Sequence, residues 1–379
     1  MSPIYLDYNA TTPVAPEVLD AMLPWLRGQF GNPSSTHPYG RRAAQAVAAA
    51  RRQVADLIGA QAHEIVFTGC ATEANNLALL GVARALGTAR RHLVVSAVEH
   101  PAVMAPALHL RDRGWALTVL PVDAFGRISP DALADALRPD TALVSVMHTN
   151  NEVGTLQPIR EIARMICERG ILLHTDAAQS AGKLPLNVDE LGVDLLTLAG
   201  HKFYAPKGVG ALYVRAGTPI RSVLHGAEQE YGLRPGTENV AAIVGLGAAA
   251  ALARASLPAA SAHLRALRDR LHEYLVAAIP GLRLNGDPDH RLPNTLHLSF
   301  PGVSGRALLA EAADVVAASV GSACHSEPAA VSDVLAAMGA DAARAAGAVR
   351  LSVGCMTTPE EVKCAAEGLV AAWQRLRSQ

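Results

Sequence analysis

Cys324 stands in the stretch "SVGSACHSEP", among residues that would pack poorly but move easily. Gly321, Ser322, Ala323, His325 and Ser326 flank it, whereas a structural free cysteine is usually surrounded by apolar side chains. A polar, accessible setting favours the thiolate, which is the nucleophilic form. Three further groups each follow the end of an apolar run. His100 follows "VVSAVE", Asp176 closes "ILLHTD", and Lys202 stands beside His201 after "DLLTLAG". Alone, such a lysine reads as a solvated surface group and such an aspartate as a helix cap. Together they have a common use: a lysine amine forms a Schiff base with an aldehyde, a carboxylate keeps a pyridine nitrogen protonated, and a flat imidazole covers the ring. Those are the requirements of pyridoxal 5'-phosphate.

A phosphate needs donors, and "TGCATEANNLALL" offers Ala71 and Thr72 at the start of a helix, where backbone N–H groups lack partners. His201 and Thr237, the latter in "RPGTEN", are further candidate phosphate donors, and Gln179 lies three residues beyond Asp176. The elements that must position these groups are legible between about residues 65 and 215. "EIVFTG", "HLVVSA", "LTVLPV", "ALVSVMHTN", "ILLHTD", "DLLTLAG" and "GALYVR" are apolar runs, several of them continuous as strands covered on both faces should be. "IREIARMICERG" carries Ile159, Ile162, Ala163 and Ile166 on one stripe before Gly170. The pattern is α/β, a mostly parallel sheet with helices on both faces, whose ligands bind at the carboxyl ends of the strands.

Upstream, "RRAAQAVAAARRQVADLIG" reads as a helix ended by Gly59. From about residue 253 the pattern changes to a helix, the strand "LPNTLHLSF", the Cys324 loop, "AVRLSVG" and a last helix after "TTPEE". The expected division is a large cofactor-binding domain over 15–252 and a smaller α+β domain built from 1–14 and 253–379 that carries the cysteine loop. "IYLD" is expected to join the smaller domain or bridge to the larger one.

With 379 residues, half of them hydrophobic, the chain can bury a large core without staples. Lys plus Arg number 33 against 34 Asp plus Glu, with neither sign in a block, so a nucleic-acid partner is not expected. "MSPIYLDYNATTP" lacks the charged and apolar regions of a secretory signal, and charges break the Ala-rich stretches, so the expectation is a cytoplasmic protein with no membrane span. Five cysteines, with no CxxC pair, argue against a disulfide framework or a zinc site, and no metal is expected.

"YLDYNATTP", "FGNPSS", "ATEANN", "EHPAV", "NNEVGTLQPI", "TDAAQSAGK", "GHKFYAPKGVGALYVR", "LRPGTENV", "GSAC" and "VRLSVG" occur in this order along nearly the whole chain. In these the sequence resembles the cysteine desulfurases of the NifS/IscS type, fold type I pyridoxal-phosphate enzymes with a seven-stranded sheet in the large domain. The resemblance implies that Lys202 is the Schiff-base lysine, Asp176 the partner of the pyridine nitrogen and His100 the stacking and acid/base imidazole. It makes Thr72 and His201 phosphate ligands, Gln179 a partner of the phenolic oxygen, Asn151 a neighbour of cofactor and substrate, and Arg350 the clamp for the substrate carboxylate. It implies a homodimer in which Thr237 reaches the phosphate of the neighbouring subunit. Cys324 becomes the nucleophile that takes sulfur from L-cysteine as a persulfide, leaves alanine and passes the sulfur to an acceptor, such as an iron–sulfur scaffold, a tRNA-thiolation enzyme or a dedicated biosynthetic partner.

Three positions depart from the pattern. Ala199 stands where a serine often helps to bind phosphate. Glu230, in "HGAEQEYG", and Cys355, in "SVGCMTT", stand where the resemblance leads one to expect arginines, which bears on substrate preference and acceptor docking. Rival readings are a selenocysteine lyase, which acts on L-selenocysteine with the same residues, an aminotransferase, which needs no cysteine loop, and a non-catalytic scaffold that keeps the fold.

Overall fold

The computed structural model describes residues 2–321 and 332–378; Cys324 and its immediate neighbours lie outside the described residues. Twelve strands are present among them. In chain order they are β1 (Ile4–Tyr5), β2 (Ile65–Thr68), β3 (His92–Ser96), β4 (Ala116–Leu120), β5 (Thr141–Ser145), β6 (Leu172–Asp176), β7 (Leu195–Ala199), β8 (Gly210–Val214), β9 (Arg283–Asn285), β10 (Thr295–Ser299), β11 (Val316–Ala317) and β12 (Ala348–Ser352). The seven apolar runs of the sequence are the seven strands of one sheet, in the order β2-β8-β7-β6-β5-β3-β4. The ladders from β7 through β6, β5 and β3 to β4 are parallel, and β8 runs antiparallel to both β7 and β2. Every residue of β3, β5, β7 and β8 is buried, because helices cover both faces and leave no solvated side that would demand alternation.

The helix Pro38–Ile58 ends at Gly59 (φ +70°), and the stretch after Ile159–Ile166 ends at Gly170 (φ +60°). Both glycines take the left-handed conformation that closes a helix at no cost in Cβ strain. A second layer contains an antiparallel sheet, β12-β10-β9, and a parallel pair, β1-β11. β1 therefore joins this layer: Ile4 pairs with Val316 and Tyr5 with Ala317, and Asp7 then bridges to Ser352. The last helix, Pro359–Arg377, starts inside "TTPEE" rather than after it, three residues earlier than expected, because Thr358 and Glu361 form a reciprocal capping box.

The expected change of character at 253 falls inside one helix, Val240–Ala278. Its first half buries Ala242, Ile243, Leu246 and Ala250 in the core beneath the large sheet, and its second half buries Leu264, Leu267, Leu271 and Leu275 in the core of the second layer. The chemical pattern changes there because the helix passes from one core to the other. This helix is long and apolar enough, by length and composition, to cross a membrane, which the charge count along the sequence did not suggest. Half of its most apolar stretch is buried inside the protein, as expected of a core helix.

Candidate active site

Lys202, Asp176, His100, Gln179, Ala71, Thr72, Asn151, His201 and Arg350 all line one cavity of about 660 Å³. The large sheet brings most of them together. Asp176 ends β6, Lys202 follows β7, His100 follows β3, and Ala71 opens the helix after β2. Thr237 does not line this cavity; it is exposed, on the segment before the helix Val240–Ala278. Cys324 lies outside the described residues, but Gly321 and Asp333, on either side of its stretch, both line the cavity.

Asp176 is held at both oxygens: Oδ2 accepts from Asn75 Nδ2 at 2.7 Å and Oδ1 from the Ala178 N–H at 2.9 Å. Lys202 Nζ donates to the carbonyls of Asn9 (2.6 Å) and Ala10 (2.9 Å), nearly two hundred residues away in sequence. The turn that presents this lysine is strained. Tyr204 has φ +70°, a conformation that persists in a non-glycine residue only when its surroundings over-determine it. The Tyr204 N–H donates to Thr12 Oγ1 at 2.8 Å, its carbonyl accepts from Ala15, and its hydroxyl accepts from the Cys355 N–H at 2.7 Å.

His100 caps the helix Pro101–Asp112, its Nδ1 accepting from the Ala102 N–H at 3.0 Å. That bond fixes the ring and leaves Nε2 as the nitrogen that carries the proton. Burial lowers the His100 pKa, with Asp176 opposing and Lys202 reinforcing the shift. His201 is lowered to about 4, by burial first and then by Lys202, Lys207 and Lys183, while its Nδ1 lies 3.1 Å from the Thr11 hydroxyl. Both imidazoles are neutral at pH 7.

Gln179 Nε2 donates to the Asn9 carbonyl at 3.0 Å, and Lys183 Nζ donates to both Gln179 Oε1 and Gln179 O at 3.1 Å. Arg350 is fully buried. Its Nη2 donates to Asp7 Oδ1 (2.8 Å) and Ser319 Oγ (2.9 Å), and its Nη1 to the carbonyls of Asn151 (3.0 Å) and Gly321 (3.3 Å). Its Nε has no partner among the described residues. Asn151 thus engages through its carbonyl.

The amino end of the helix Ala71–Leu86 has no side-chain cap, since Cys70 makes none, and Cys70, Ala71 and Thr72 all face the cavity. Open first-turn N–H groups are an anion site in waiting. A β-carbon on Gly210 would meet the Cys70 carbonyl carbon at 2.8 Å and the Ala71 nitrogen at 3.1 Å, so β8 carries glycine where this turn presses against it. An amine, a carboxylate, a neutral imidazole and an uncapped helix terminus around one cavity fit pyridoxal phosphate. Ala199 lines the cavity and supplies no hydroxyl there.

The expectation that Glu230 removes a cation from the site is corrected by its position. Glu230 does not line the cavity; its carboxylate is buried and bidentate to Arg51 at 2.6 and 2.7 Å, and it also accepts from the Phe67 N–H at 2.8 Å. This anion ties its loop to the helix Pro38–Ile58 and to β2. Cys355 is likewise absent from the cavity lining, with an exposed thiol.

Reading by type and spacing missed Asn9, Ala10, Asn75, Glu99 and Lys183 as parts of the site. The polar run "YNATTP" was the available signal for the first two; the others lie within helices or turns where nothing local distinguishes them.

The class-V aminotransferase family model matches residues 4–364. The chain is 46% identical over 376 residues to the cysteine desulfurase IscS of Dictyoglomus turgidum, covering 99% of this chain and 95% of that protein. It is 44% identical over 380 residues to the cysteine desulfurase of Homo sapiens, covering 100% of this chain and 83% of that one. Among solved structures it is similar to a NifS-like protein, with TM-score 0.91 and 37% identity over 100% of both chains. It is also similar to SspA in complex with cysteine, with TM-score 0.83 and 38% identity over 93% of this chain and 99% of that one.

Proposed function

This chain belongs to the class-V aminotransferase family, and on that premise we propose that it is a cysteine desulfurase that uses pyridoxal 5'-phosphate and stores the sulfur of L-cysteine on Cys324. The observation that carries the reading is the convergence of Lys202, Asp176, His100 and Arg350 on one cavity, in a chain similar from end to end to cysteine desulfurases. When bound, the cofactor supplies an aldehyde that takes up amines and a ring that withdraws electrons from the substrate's α-carbon.

Lys202 would hold the aldehyde, and Asp176, fixed by Asn75 and Ala178, the ring nitrogen. His100 would cover the ring and hold a proton at Nε2. The helix terminus at Ala71 and Thr72, with His201, would hold the phosphate. Gln179, steadied by Lys183, would hold the phenolic oxygen, and Arg350 with Asn151 would orient the substrate carboxylate. The Cys324 thiolate then takes the substrate sulfur: an S–S bond forms, the Cβ–S bond breaks, and its electron pair stays with Cβ, which gains a proton to give alanine. An acceptor protein removes the persulfide sulfur. The position of Gly321 and Asp333 at the cavity supports the placement of this thiol near the substrate.

We assign the cofactor to a large domain over 15–252 and the cysteine to a small domain of 1–14 and 253–379, the helix Val240–Ala278 joining their cores. A second copy of the chain would bring Thr237 to the phosphate and cover Leu26, Phe30 and Tyr39, which are exposed here. The proposed setting is the cytoplasm. The deciding experiment measures alanine and protein-bound sulfur after L-cysteine or L-selenocysteine is added to cofactor-loaded protein. Alanine from cysteine, with one added sulfur on Cys324, is the expected result. Alanine from selenocysteine alone would make the protein a selenocysteine lyase, and none from either would overturn the reading.

A further inference from the structure

Glu99 precedes His100 and has none of the roles above, yet it is only 7% exposed and lies in the wall of the same cavity. Its Oε1 accepts from the Ser96 hydroxyl at 2.6 Å and from the Met147 N–H at 2.8 Å. Its Oε2 is sealed from solvent and has no donor among the described residues. A second acceptor in that wall, Asn75 Oδ1, is in the same condition. Turning the Asn75 amide would not relieve it, because its Nδ2 already donates to Asp176 Oδ2 at 2.7 Å, and exchanging nitrogen for oxygen would set two acceptors against each other. Leaving both buried oxygens without a donor is costly. One proton shared between them would remove both deficits.

We propose that Glu99 is a positioning residue held in its neutral form, with its proton on Oε2 and donated to Asn75 Oδ1, so that a chain Glu99–Asn75–Asp176 fixes the orientation of the Asp176 carboxylate. Burial supplies the driving force and raises the Glu99 carboxyl to about 8; the Ser96 and Met147 donors oppose the shift and the Asp176 charge adds to it. Ser96 on β3, Met147 after β5 and Asn75 on the helix Ala71–Leu86 are neutral, His100 beside it is neutral at pH 7, and Asp176 at the end of β6 is the charge that acts on it. An ionised Glu99 would add a second carboxylate charge without a donor for Oε2. The consequence for cofactor binding rests on reading Asp176 as the partner of the ring nitrogen; the position of the proton does not.

Infrared difference spectra of cofactor-free wild type against Glu99→Gln, with and without ¹³C-labelled glutamate, read the proton directly. Expected is a protonated-carboxyl stretch at neutral pH that moves with the label, is missing in Glu99→Gln, and fades as pH rises through about 8. Affinity for pyridoxal phosphate then tests the chain. Glu99→Gln, whose amide can still donate, should bind within about threefold of wild type, whereas Glu99→Leu and Asn75→Ala should each weaken binding about tenfold, and the double variant should be no worse than the weaker single one. Absence of the band at neutral pH, a Glu99→Gln loss as large as that of Glu99→Leu, or additive losses in the double variant would each overturn the proposal. If wild type took up no pyridoxal phosphate, the functional reading of the cavity would fail while the infrared result still decided the proton.

Discussion

Replacing Lys183 with methionine removes a buried amine whose ionisation the fold opposes. Burial, reinforced by the charges of Lys202 and Arg350, lowers the Lys183 pKa from 10.5 to about 7. The unfolded chain therefore holds a proton on this amine up to about pH 10.5, and the folded chain only up to about 7. Between those values the unfolded state binds more protons, so Lys183 makes wild-type stability rise with pH across this window and contributes no slope below it. The shift of about 3.5 units, at about 1.36 kcal/mol per unit, bounds the effect at about 5 kcal/mol. Against it stand the two bonds to Gln179, whose loss leaves two buried acceptors unpaired at a cost of about 2 to 4 kcal/mol that does not depend on pH. Lys183→Met should thus be nearly as stable as wild type, or more stable, below pH 7, and less stable by about 2 to 4 kcal/mol above pH 10. Urea unfolding of both proteins at one concentration and a series of pH values gives the difference, from which titrations common to both cancel. A difference that stays constant from pH 6 to 10 would refute the account of the buried amine.

Lys202→Ala should abolish covalent, borohydride-reducible attachment of pyridoxal phosphate; peptide mapping of reduced wild type that places the label on Lys183 or Lys207 would move the assignment. Cys324→Ser should still bind the cofactor and cysteine but neither gain the mass of one sulfur nor release alanine, because a hydroxyl is a far weaker nucleophile toward sulfur than a thiolate. An added sulfur mapped to Cys355 or Cys70 in the wild type would make Cys324 a spectator. Mixed dimers of Lys202→Ala and Thr237→Ala should regain part of the activity that each variant lacks, since one hybrid site receives both intact residues; confirmed heterodimers without recovery would mean that Thr237 does not serve its neighbour.

The fold was largely legible because its signals are local. A continuous apolar run such as Leu195–Ala199 can be satisfied only by cover on both faces, and Gly59 and Gly170 end helices through conformations that depend on one residue each. The continuity of the helix Val240–Ala278 across 253 was not legible, because composition records which core a residue enters, not whether the backbone continues. Glu230 was misread for a related reason. A carboxylate replacing an expected cation looks like a change of charge at the site until its partners, Arg51 and the Phe67 N–H, are seen to bury it elsewhere.

By itself the sequence singled out the residues proposed to carry the chemistry: Lys202, Asp176 and His100 have types and strand-end positions that point to a common use, and Cys324 has sequence neighbours unlike those of a structural thiol. Only the tertiary structure decided their states. The Asn9 and Ala10 carbonyls that receive Lys202, the Asn75 amide that holds Asp176, and the burial that keeps His201 neutral and lowers the Lys183 amine to about 7 come from segments far apart in the chain. Desolvation and hydrogen bonding are sums over spatial neighbours, and spacing along a chain does not say which neighbours those will be.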